Sequence, residues 1–87
     1  MNERISELEN MELEKFVEQF AGQFFDTPAE MIKADTEFRQ LDEWSSMTGL
    51  CILTMIKDEY GFFLDPNIFK QCPTVKDVYE AVKANKK

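Results

Sequence analysis

The stretch from Ser45 to Tyr60 constrains this chain most, because between Ser46 and Ile56 it carries no charged residue. Met47, Leu50, Cys51, Leu53, Met55 and Ile56 spread apolar side chains around much of a helix circumference. A helix of that kind needs neighbours on several sides, so it reads as the central member of a bundle. Ser45 or Ser46 can cap its N-terminus, and Gly61 can stop it.

The neighbours can be read on either side. Asn10 is placed to cap a first helix in which Leu13, Phe16, Val17, Phe20 and Phe24 fall on one face, ending before Pro28. Residues 1–9 read as a polar, acidic lead-in, either frayed or adding a helical turn. From Asp26 to Trp44 no clean period appears. This predicts a long loop with a helical turn near Ala29–Ile32, pinned by Phe38, Leu41 and Trp44. Asp65-Pro66-Asn67 opens a short third helix through Lys70, with Ile68 and Phe69 facing inward. Pro73-Thr74 opens the fourth, where Thr74 and Asp77 resemble a capping box with Asp in place of Glu. Val75, Val78, Tyr79 and Val82 form its apolar stripe, and Lys83, Lys86 and Lys87 suit its C-terminal end. No strand pattern appears. The expectation is an all-α, four-helix bundle: three main helices and one short one, with a long loop between helices one and two, forming a single domain over residues 1–87.

Charge excludes some partners. The net charge is −7, and residues 1–43 hold 12 acidic and 4 basic side chains. That argues against nucleic acid, which needs a basic patch, and suits steering toward basic protein surfaces. The longest run rich in apolar residues, Gly49 to Ile56, is too short to cross a membrane, and the charged start is no signal peptide. Cys51 and Cys72 sit among apolar residues and read as reduced packing residues of a cytoplasmic protein. With no His and no Cys-x-x-Cys, a common zinc set cannot be assembled. Glu7, Glu9, Glu12, Glu14 and Glu18 read as a solvated face.

Three motifs in order carry a resemblance. Phe38-Arg39-Gln40-Leu41-Asp42-Glu43-Trp44-Ser45-Ser46-Met47 is similar to the prosthetic-group attachment region of acyl and peptidyl carrier proteins, including the variant Leu-Asp-x-Trp-Asp-Ser-Leu. Met55 to Gly61 resembles the end of that family's second helix, and Pro73-Thr74-Val75-Lys76-Asp77-Val78 the start of its last one. The resemblance, over about residues 11–85, is to the acyl carrier protein family. It implies a four-helix bundle whose Ser46 bears 4′-phosphopantetheine. The arm comes from coenzyme A through a separate holo-synthase, a phosphopantetheinyl transferase. The Ser46 hydroxyl would attack the coenzyme A β-phosphate and release adenosine 3′,5′-bisphosphate. The arm's thiol then holds acyl groups as thioesters for acyl-transferring or condensing enzymes of fatty acid, polyketide or related biosynthesis. On its local sequence alone, Ser46 reads better as an ordinary helix cap; the surrounding motifs favour modification.

Two departures matter. Ser45 stands where the family usually has Asp, which the resemblance suggests helps the synthase engage, and it keeps Ser45 open as an alternative modified residue. Met47, filling the apolar place after the serine, favours Ser46. Between Ser46 and Ile56 the second helix also lacks the acidic residues that the family usually shows to basic partner surfaces; Lys57, Asp58 and Glu59 lie at its end. Docking is therefore expected to use Met47 and Leu50, flanked by Asp42 and Glu43. Met47 reads as partly exposed, Leu50 and Leu53 individually as core, and Trp44 as packed rather than as a partner anchor. The length suggests a discrete carrier, expected to be a monomer; with no His to serve as a base and no Gly-rich phosphate loop, it is not expected to be an enzyme. The alternatives are an unmodified carrier-like scaffold, an aminoacyl or peptidyl carrier, and, least favoured, a hydrolase or isomerase using Ser46, for which no base is in evidence.

Overall fold

A computed structural model describes residues 2–85, with side chains from Glu12 onward. Helix α1 spans Asn2–Ala21, α2 Ser46–Tyr60, α3 Pro66–Lys70 and α4 Val75–Asn85. Single 3₁₀ turns stand at Ala29–Met31 and Phe38–Gln40 within the long connection between α1 and α2. The described residues contain no strand. The expected four-helix bundle is the fold observed.

The start and end of α1 differ from expectation. Its first turn lies at Asn2, so Asn10 is interior rather than a cap. Residues 2–9 extend the helix with only Ile5 and Leu8 apolar among them, too few for periodicity to register. The helix also stops at Ala21, ahead of Gly22. Phe24 is nevertheless buried, because a hydrogen-bonded turn (Phe24 N–H to Ala21 O, 3.0 Å) carries its ring back to the core.

The other boundaries follow local chemistry. Asp65 accepts the Asn67 N–H at 2.8 Å with Pro66 in the first turn of α3. At α4, Thr74 Oγ1 accepts the Asp77 N–H while the Asp77 carboxylate accepts both the N–H and the hydroxyl of Thr74, completing the expected box. Gly61 ends α2 in the left-handed region at φ 81°, where its N–H bonds to Lys57 O.

Phe16, Phe20, Phe38, Ile52, Ile56, Leu64, Val75 and Val78 are fully buried and form the centre of one core cluster. A row of rings runs through it. Phe16 meets Tyr79 and Phe20, Phe20 meets Phe38 at 4.9 Å, and Phe38 meets Trp44 at 5.2 Å and Phe69 at 5.8 Å. Such pairs add ~0.5–1.5 kcal/mol each beyond their buried area. Phe38, Leu41 and Trp44 do pin the loop, and Trp44 packs internally, as expected. Gly49 makes room for it: a Cβ there would lie 3.1 Å from the Trp44 ring.

Two further devices hold the loop. Its Ala34 and Thr36 carbonyls accept the N–H groups of Lys76 (2.8 Å) and Val75 (3.3 Å), the first turn of α4. Those donors have no acceptor within their own helix. The Arg39 guanidinium reaches the carbonyls of Phe69 and Cys72 at the end of α3. It lies over the rings of Phe38, Phe69 and Trp44, 4.7, 5.0 and 5.7 Å from their centroids.

Candidate functional site

The loop enters α2 through Asp42, Glu43, Trp44 and Ser45, and each has a distinct environment. Asp42 is exposed. Trp44 turns inward onto Phe38 and Phe69. Ser45 is extended (φ −154°, ψ 169°) and is the N-cap: its hydroxyl accepts the Thr48 N–H at 3.3 Å and lies 3.2 Å from Thr48 Oγ1. Ser46 is the first residue of the helix and exposed; its hydroxyl has no partner among the described residues.

That division separates two adjacent serines that the sequence left open as caps. One hydroxyl is engaged in holding the helix end. Its neighbour is presented to solvent beside backbone N–H groups that have no acceptor within α2. Partial positive charge at this end favours an anion such as a phosphodiester. Ser is as good a cap as Asp, so Ser45 keeps the capping function of the acid it replaces in the motif and loses only its charge.

Glu43 acts differently from the exposed acid expected beside a docking surface. Its carboxylate accepts the backbone N–H groups of Phe25 (2.6 Å), Asp26 (3.0 Å) and Thr27 (2.8 Å), and the Thr27 hydroxyl (2.8 Å). Loss of solvent around the carboxylate works to raise its pKa. The bonds from the Thr27 hydroxyl and the three amides outweigh that and hold it below 4.5, its ordinary value. Glu43 thus fastens the turn after α1 to the entrance of α2. Sequence reasoning missed this clamp, since partners 16 to 18 residues apart leave no local signal.

The outer face of α2 corrects two expectations. Leu50 is 55% exposed and not core, whereas Leu53 is buried as expected. Cys51 is a free, exposed thiol and not a packing residue; Cys72 is the buried one. Burial, and after it the Asp77 carboxylate, pushes the Cys72 thiol pKa up, with Arg39 opposing. Met47 is 72% exposed. Met47, Leu50 and Cys51 line one side of a shallow surface groove whose other side includes Gln23, from the segment after α1. Ser46, Met47 and Leu50 therefore share an outer surface with Asp42 just before it. Asp58 and Glu59 line the groove's far end.

A family model described as phosphopantetheine attachment site matches residues 15–82. The chain belongs to that family. It is a domain for covalent attachment of 4′-phosphopantetheine, and such carrier domains are typically non-catalytic modules that work with a phosphopantetheinyl transferase and partner enzymes. No curated protein and no solved structure matches the chain. The residues at the start of α2 fit the group: an accessible serine hydroxyl to form the phosphodiester, and helix N–H groups to face it. When attached, the group supplies a thiol on a long flexible arm that forms thioesters. No described helix of this carrier domain is long and apolar enough to cross a membrane.

Proposed function

We propose that this chain is an acyl carrier protein in which Ser46 bears the phosphopantetheine arm. Acyl intermediates ride on the arm to enzymes of fatty acid, polyketide or related biosynthesis. One observation carries the choice of residue: the Ser46 hydroxyl is exposed and unengaged at the first position of α2, while the Ser45 hydroxyl caps that helix. The protein's own residues present and orient the hydroxyl. With no His in the chain, the transferase supplies the base that deprotonates it. The chain is a carrier and not a catalyst, a monomer forming one domain, and it works in the cytoplasm.

Partner enzymes dock on Met47 and Leu50, with Asp42 contributing charge at the rim. The exposure of both apolar side chains on a stretch, Ser46 to Ile56, that carries no charged residue supports this. Glu43 contributes chiefly by holding the neighbouring turn. Intact-mass spectrometry of protein incubated with coenzyme A and a broad-specificity phosphopantetheinyl transferase tests the site. Wild type and Ser45→Ala gain one phosphopantetheine, and Ser46→Ala does not. The reverse pattern reassigns the site to Ser45. A wild-type mass that never rises favours an unmodified scaffold, a reading kept open by the missing acid before Ser46. The intact mass of protein taken from its own cells, with the thioester preserved, distinguishes an acyl from an aminoacyl load.

A further inference from the structure

Phe25 is the most exposed large hydrophobic residue described, at 90%. An aromatic ring in water is unremarkable on a loose tail, but this one stands on a fastened turn. Its own N–H and those of Asp26 and Thr27 are all held by the Glu43 carboxylate. The backbone is thus fixed while the ring is left without a place in the core. Little conformational freedom would be lost if a partner took up that ring, which is how a preorganised anchor gains affinity.

Its location narrows the partner. The clamp joins Phe25 to a residue three positions before Ser46. Gln23, two residues away, lines the same groove as Met47 and Leu50. An enzyme acting on a loaded carrier can meet the cargo at the end of the arm. The enzyme that installs the arm has no such reach. It must bring coenzyme A to the Ser46 oxygen itself, so its body has to cover the surface around α2's first turn. Coenzyme A is a polyanion and its binding site must be cationic. Exposed Asp26 and Asp42 beside Phe25 and Ser46 match such a rim, and no basic residue lies between Ser46 and Ile56.

We infer that Phe25, held out on the turn that Glu43 fastens, is a docking anchor for the phosphopantetheinyl transferase. It enters an apolar pocket of that enzyme when Ser46 is loaded. The inference rests on Ser46 being the attachment residue. The apolar contact also takes up part of the recognition that the family's Asp before the serine would supply, and which Ser45 lacks.

The test is steady-state loading of the apo chain with coenzyme A by a phosphopantetheinyl transferase, followed by intact mass. Phe25→Ser raises KM for the carrier about tenfold, equivalent to ~1.4 kcal/mol, with kcat within threefold of wild type and an unchanged circular dichroism spectrum. Phe25→Leu falls between. Glu43→Gln, which keeps the ring but loosens the turn, raises KM several-fold. Phe63→Ser, removing a 52% exposed ring near the opposite end of α2, leaves KM unchanged. A Phe25→Ser KM within twofold of wild type overturns the inference while Ser46 loading stands. An equal rise in Phe63→Ser, or a loss confined to kcat, overturns it as well. A wild-type chain that accepts no phosphopantetheine at all overturns both this inference and the attachment-site assignment beneath it.

Discussion

Replacing Arg39 by Ala removes more than a surface charge. Its guanidinium donates to the Cys72 and Phe69 carbonyls and covers three rings of the core cluster. The Phe69 carbonyl keeps a second donor, the Cys72 N–H at 3.1 Å, but the Cys72 carbonyl has no other partner among the described residues. A hydrogen bond from a charged donor contributes ~1.5–3 kcal/mol, and a partly desolvated cation over a ring ~0.5–2 kcal/mol. These terms overlap, and the side chain is only half buried, so the expected loss is about 3 kcal/mol rather than their sum. Against the ~4–13 kcal/mol typical of a chain this size, that is a large fraction. Arg39→Lys keeps the charge above the rings and loses the two-pronged donor geometry, for about 1–2 kcal/mol. Urea unfolding measures both, with fluorescence of Trp44, the chain's single tryptophan, compared with far-ultraviolet circular dichroism. An Arg39→Ala stability within ~0.5 kcal/mol of wild type, the usual range for an unremarkable surface substitution, would refute the latch between loop and α3.

Three shorter expectations follow from other contacts. Gly49→Ala adds a methyl 3.1 Å from Trp44; despite a helix-propensity gain of ~1 kcal/mol it is expected to be net destabilising by about 1 kcal/mol and to shift the Trp44 emission, as thermal melts and spectra will show. Glu43 titrates below its ordinary value, so the clamp's stabilisation is complete above pH 4.5 and disappears as pH falls through the lowered pKa. The gap in melting temperature between wild type and Glu43→Gln should therefore narrow as pH is lowered from 7 to below 4.5, and a constant gap contradicts the clamp. In the apo chain, iodoacetamide should label exposed Cys51 rapidly and Cys72 only on unfolding, with peptide mapping reading each site.

What the sequence made legible was local. The capping box at Thr74, the stop at Gly61 and the short helix opened by Pro66 are signalled within four residues of where they act, and each stands as expected. The serine pair was legible as a cap, but its division of labour depends on backbone angles that composition does not encode. Leu50 was misplaced for a related reason: on a helix apolar around most of its circumference, the pattern does not say which side faces water. Arg39 and Glu43 were opaque because their hydrogen-bond partners lie 16 to 33 residues away and are mostly backbone groups, which every sequence possesses. The early start of α1 escaped because a polar helix has propensity without periodicity.

The carbonyls of Ala34 and Thr36 that close the first turn of α4 tie together segments some forty residues apart. Lifting one strips donors from the other, so hydrogen exchange should show these segments opening as one cooperative unit. The approach to Ser46 is thereby moored to the last helix. A lesion in that helix, even one remote from α2, would slacken the entrance to the serine while leaving every residue of the docking face untouched.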